Sequence, residues 1–146
     1  MKVYLAGFIS GYSYDDVEND FNSRKWHLER LGYEVLSPMT GKGQLRNEIE
    51  LKAYDYSNPV SCNHAIFERD KWMVSNCDIV FANLLNPKHV SIGITMELAW
   101  ASLLGKHTVV VMEESNVHKH AFIIESADII FNNMGDALQY FTDLTS

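Results

Sequence analysis

Several things are scarce in this chain, and each scarcity excludes something. There are two cysteines, Cys62 and Cys77, in 146 residues. They form no C-x-x-C motif and are too few for a disulfide framework. Reduced thiols and a cytoplasmic setting are the expectation. No stretch approaches the ~18 consecutive apolar residues of a membrane span, so no membrane partner is expected. The opening "MKVYLAGFISG" has a basic residue and a short apolar run, too short for the core of a signal segment. Positive charge is also scarce: 12 Lys and Arg stand against 19 Asp and Glu, a net charge of −7. A nucleic-acid polymer selects for clustered basic residues, so it is a poor partner for this chain. A small anionic ligand stays open, because backbone N–H groups hold anions without net positive charge.

What is present is an ordinary globular composition, 47% hydrophobic and 21% charged, long enough for one domain over residues 1–146 with a sizeable core. "KVYLAG" reads as a buried strand ending at Gly7. A helix follows over "SYDDVENDFNSRKWHLERLG", with Asp15 or Asp16 as cap, an apolar face of Val17, Phe21, Trp26, Leu28 and Leu31, and Gly32 as its stop. "YEVLSP" is a second strand. Residues 39–62 have little period; a long irregular stretch of this kind is usually a lid, an oligomer contact or part of a binding site. A helix over "NHAIFERDKWMVSNC", with Asn63 as cap, leads into the strand "DIVFANL". Next come the helix "SIGITMELAWASLLG", started by Ser91 and ended at Gly105, the strand "HTVVVM", a loop, the short strand "ADIIF" and a terminal helix "MGDALQYFTDL".

Strands that alternate with helices and read as continuous apolar runs imply a sheet buried on both faces. The expected fold is therefore α/β: a doubly wound, mostly parallel five-stranded sheet, flavodoxin-like or Rossmann-like. In such folds ligands bind beyond the carboxyl ends of the strands. That directs attention to the loops "AGFISGY", "NLLNPKHVSIG" and "EESNVHKH".

Glu97 lies in the first two turns of the helix after the third strand. A lone Glu there is ordinarily a surface acid favoured by the helix dipole, but Met96, Leu98, Trp100 and Ala101 leave little solvated face around it. The Ser91-Ile92-Gly93 junction offers backbone N–H groups to an anion or a sugar oxygen. Asp70, between Arg69 and Lys71, reads otherwise as a surface ion-pair residue. Gly7 and Gly11 bracket a turn that lets a ligand approach the backbone. Tyr4, inside the first strand, would orient a buried carboxylate if its hydroxyl reached one. His118 and His120 form an H-x-H pair without a third ligand, so no metal is expected; nor is a cofactor.

Three stretches in order, "VYLAGFISG", "ERDKWMVSNCDIVFANL" and "SIGITMELAWASLLGK", resemble the nucleoside 2-deoxyribosyltransferase superfamily, which includes the 2′-deoxynucleoside 5′-monophosphate N-hydrolases. The similarity spans roughly residues 2–131. The resemblance implies that Glu97 is the nucleophile attacking C1′ of a deoxyribose, that Asp70 lies near the base and helps it leave, and that Tyr4 contacts the nucleophile. Gly7, Phe8, Ser10, Gly11, Ser91 and Gly93 would bind substrate. Asn116, with His118 nearby, would reach into the site of a neighbouring subunit, so a homo-oligomer with shared sites is implied. The partners implied are a nucleoside or nucleotide and a nucleobase.

Two positions pull apart. Where the transferases carry an Asp six residues before the Glu, this chain has Ser91, like the monophosphate hydrolases, whose Ser binds the 5′-phosphate. Those hydrolases read G-S-I-R-G after the first strand; here Ser10 stands where their Arg would be. The expected activity is transfer of the deoxyribosyl group between bases, with hydrolysis of a deoxynucleoside monophosphate as the alternative. A non-catalytic nucleotide sensor would have no need of both Glu97 and Asp70.

Overall fold

The computed structural model describes residues 1–146. Its strands are β1 (Lys2–Ala6), β2 (Glu34–Leu36), β3 (Ile79–Asn83), β4 (His107–Val111) and β5 (Ile129–Phe131). Its helices are α1 (Tyr14–Arg30), α2 (Asn63–Asn76), α3 (Ile92–Leu103), α4 (Ala121–Ser126) and α5 (Met134–Asp143). All neighbouring strands pair in parallel, in the order β2-β1-β3-β4-β5. The chain leaves β1 for one side of the sheet and later returns to its other side, so the switch point falls between β1 and β3.

Side chains alternate across the sheet with period two. Val3, Leu5, Ile79, Phe81, Val109 and Val111 pack against Val17, Phe21 and Leu28 of α1 and Ala137 and Phe141 of α5. Tyr4, Ala6, Val80, Ala82 and Val110 face Met73 and Val74 of α2, Ile94, Leu98 and Ala101 of α3, and Ile123 of α4. Tyr4 thereby points towards α2 and α3. None of the helices is long and apolar enough to cross a membrane.

The structure corrects local details. Ser13 caps α1 by accepting the Asp16 N–H at 3.1 Å, not Asp15 or Asp16. The hydroxyl precedes the helix and can turn back to its free donors, whereas the two acids already lie in the first turn. Trp26 is 62% exposed and lies beneath the Arg30 guanidinium at 4.5 Å. The buried stripe of α1 is Val17, Phe21, Arg24 and Leu28, a spacing that turns Arg24 inward in place of Trp26. Cys62, not Asn63, stands at the cap of α2, and the Asn63 side chain accepts from the Asp55 N–H instead. The connection between β4 and β5 contains α4, capped by the His120 ring.

Residues 39–62 form a strap across the carboxyl end of the sheet, with one 3₁₀ turn at Gly43–Leu45. Met39, Leu45 and Leu51 are buried. The strap is tied to the β1–α1 loop by Gly11 N–H to Leu51 O and Leu51 N–H to Tyr12 O, each at 2.8 Å. Gly11 has φ +83°, a conformation that favours glycine.

Candidate active site

A cavity of about 450 Å³ opens at the switch point between β1 and β3. The β1 loop, the strap, α2 and the start of α3 form its wall. Two carboxylates face it from different helices. Asp70 extends from the inward stripe it shares with Met73 and Val74, and Glu97 lies beside Leu98 and Ala101 on α3. They are only 7% and 9% exposed.

Tyr4, fully buried on β1, donates its hydroxyl to Glu97 Oε1 at 3.0 Å. Burial first, then the Glu97 charge, holds the Tyr4 phenol well above its usual range, so it remains a donor. Burial pushes Glu97 up to about 8; the Asp70 charge adds to the rise, while the Tyr4 hydrogen bond and Lys42 oppose it. Burial pushes Asp70 up to about 6, against the pull of Lys42 and Arg69. Near neutral pH the pair therefore holds about one proton between them. Asp70 Oδ1 is buried without a hydrogen-bond partner, in a residue that lines the cavity.

The start of α3 is fixed from outside the cavity. Ser91 Oγ caps the helix by accepting the Ile94 N–H at 3.2 Å, and the Ser91 N–H donates to His118 Nε2 at 2.8 Å. His118 Nδ1 lies 2.9 Å from Asn116 Oδ1, an acceptor only, so Nδ1 carries the ring proton. Burial lowers the His118 pKa, in keeping with a neutral ring. Asn116 Nδ2 in turn donates to Leu84 O and Glu113 Oε2, both at 2.6 Å. Asn116, His118 and Ser91 thus form a relay that sets the helix carrying Glu97.

Gly7, Ser10, Asp70, Ser91, Gly93 and Glu97 all line the cavity. At Gly7 a Cβ would stand 2.8 Å from Arg24 Nη2 and 3.1 Å from Asp20 Oδ2, so a larger residue would have to shift the Arg24–Asp20 pair. Four residues fall elsewhere, among them His118, which holds the Ser91 N–H as just described. Phe8 packs on the α2/α3 core and stacks on Tyr12, with ring centroids 5.4 Å apart. Gly11 borders an adjoining opening with Lys52 and His89. Asn116 spends both N–H donors and its carbonyl within its own chain. Those bonds hold its side chain against Leu84, Glu113 and His118.

Sequence reasoning missed Lys42, Lys52, Tyr56 and His89, which also line the cavity. Lys42 and Tyr56 lie in a stretch without periodicity, so no pattern marked their direction. His118 and His120, adjacent in sequence terms, diverge into two separate caps. No group of three or more His, Cys, Asp or Glu is arranged to hold a metal.

A parallel α/β sheet with a buried pair of carboxylates at its switch point, one held by a tyrosine, defines an enzyme fold and site suited to a small polar ligand. The chain belongs to the nucleoside 2-deoxyribosyltransferase family, whose sequence model matches residues 3–134. It is thus a member of an enzyme family of deoxyribosyltransferase type. Solved structures share the fold. A 2-deoxyribosyltransferase from Bacillus psychrosaccharolyticus is 20% identical, with a TM-score of 0.70, covering 99% of this chain and 96% of its own. A CMP N-glycosidase from Clostridium botulinum is 20% identical, with a TM-score of 0.62 and full coverage of both chains. A 2-deoxyribosyltransferase from Leishmania mexicana is 16% identical, with a TM-score of 0.67, covering 97% of each. No curated protein matches the chain by sequence.

Proposed function

We propose that this protein cleaves the N-glycosidic bond of a 2′-deoxyribonucleoside, with Glu97 as nucleophile, and passes the deoxyribosyl group to a second base. The observation that carries the reading is the Glu97–Asp70 pair facing one cavity, with the Tyr4 hydroxyl bonded to Glu97 from behind. Breaking the bond builds oxocarbenium-like charge at C1′, which a carboxylate on one face captures while the opposite side serves the departing base. The resulting ester at Glu97 is resolved by a second base or by water. The strap wall of Leu45, Leu51 and Tyr56 suits a flat base, and the rim of Ser10, His89 and Ser91 suits the sugar.

One observation favours the second reading, hydrolysis of a 5′-monophosphate. Ile92 and Gly93, the first residues of α3, line the cavity with N–H groups that have no intrahelical acceptor, and Lys52 and His89 stand on the same side. An anion would be held there without the missing arginine.

Assembly of several copies belongs to the same proposal. Exposed Leu103 and Phe122, flanking a shallow cleft between α3 and α4, support it.

The test is to incubate the protein with a deoxynucleoside, or its 5′-monophosphate, each with and without an acceptor base, and to resolve the products by chromatography. A new nucleoside that forms only with acceptor is expected for transfer. Free base released from the monophosphate alone selects hydrolysis. No turnover of either donor overturns both readings.

A further inference from the structure

Lys42 is a cavity residue that neither the carboxylate pair nor the proposed base, sugar and phosphate contacts use. It sits on the turn between Met39 and Leu45, held by Lys42 N–H to Met39 O and Leu45 N–H to Lys42 O, with both flanking apolar residues buried. The residue is only 4% exposed, yet no side-chain hydrogen bond or ion pair engages its ammonium, which borders the cavity. A cation at the wall of a largely buried cavity is not kept for packing, since an apolar side chain of the same length would fill the space. Its neighbours are Asp70, Glu97 and Arg69; the two acids favour its charge, and Arg69 opposes it. Burial lowers its pKa, which makes its proton easier to give up.

We propose that Lys42 is a further catalytic residue: its ammonium donates a hydrogen bond to the departing base and delivers its proton as the glycosidic bond breaks. The inference rests on the glycosidic reading above. The step starts from ionised Glu97, its proton already lost to water; as its oxygen bonds to C1′, the electron pair of the C1′–N bond moves to the base. One proton passes from Lys42 Nζ to that base, and the neutral amine regains a proton from water. The Asp70 charge keeps the ammonium protonated until then, which gives Asp70 its part in leaving-group departure. The wall opposite Glu97 is thus built by the strap, which also carries the apolar residues that would hold the base.

Leaving-group dependence tests this. Wild type and Lys42→Met are compared on two donors: an ordinary deoxynucleoside, and a 2′-deoxyribosyl donor with a nitro-substituted azole that departs as a stable anion. Both are supplied as nucleoside and as 5′-monophosphate. Lys42→Met is expected to lose about a hundredfold in kcat on the ordinary donor. The loss on the azole donor should be only a few-fold. Lys42→Gln, which donates a hydrogen bond but no proton, should show the same contrast and serves if the Met variant does not fold. Equal losses on both donors, or none on either, overturn the proposal while wild-type turnover leaves the glycosidic reading standing. A wild type inactive on every donor overturns both.

Discussion

Two charged groups are buried on opposite faces of the same sheet, and they differ in what surrounds them. On the α1/α5 face, Arg24 is saturated. Its guanidinium donates to Asp20 through Nε and Nη2 at 3.1 and 2.6 Å, and through Nη1 to Ala6 O and Phe81 O at 3.2 and 3.0 Å. The Phe21 and Phe81 rings pack against it, and Asn83 adds a further bond to Asp20. On the α2/α3 face, Glu97 has one partner, Asp70 Oδ1 is buried with none, and the Lys42 ammonium at the cavity wall makes no hydrogen bond or ion pair. Burial is similar; satisfaction is not. A buried charge with every nitrogen bonded ties β1 to β3. Buried charges left open beside a cavity are held ready for a ligand, and the protein carries their desolvation cost until one arrives.

Emptying each cluster in turn should separate the two roles. The largest effect is expected from Glu97→Gln, which should cut kcat by roughly 10⁴-fold. The same variant should be more stable than wild type at high pH. Glu97 takes up a proton on folding, so the wild type is least penalised below the ordinary carboxylate range and loses stability as pH rises through about 8. Melting curves should therefore coincide near pH 4 and diverge in favour of Glu97→Gln towards pH 9. Coincident curves throughout would remove the premise of a strained carboxylate.

Arg24→Met should do the reverse. It strands the Asp20 carboxylate and two strand-end carbonyls, at a cost of about 3 kcal/mol in urea denaturation. Activity per folded molecule should fall far less than in the Glu97 variant. A neutral Arg24→Met would mean that saturation does not distinguish the clusters. Tyr4→Phe should have the smallest effect, about tenfold in kcat/KM. It should also shift upward the pH at which activity rises, because the lost hydrogen bond favours the ionised Glu97. An unmoved limb would show that the phenol does not tune the acid.

The sheet was readable from sequence because two-sided burial writes strands as unbroken apolar runs, as in "KVYLA" and "HTVVV". The start of α3 was readable because Ser91 combines a capping hydroxyl with the helix behind it. The direction of Arg24 was in principle available from the 17-21-24-28 spacing, but Trp26 drew attention as the larger apolar residue. Helix α4 is six residues long, too short to carry a period. Lys42 lay beyond reach for a different reason: its burial depends on contacts between a strap and a loop some 30 residues apart, which no local pattern encodes.

Alternation along β1 has one more consequence. Neighbours of Tyr4 on either side point to the opposite helical layer, so sliding that strand by a single residue would bury the phenol beside Phe21 and set Val3 or Leu5 against Glu97. Pairing errors in this family member would therefore be silent in secondary structure and fatal to chemistry. Fidelity of the first strand's alignment with Glu34–Leu36 and Ile79–Ala82 is itself a requirement for an active molecule.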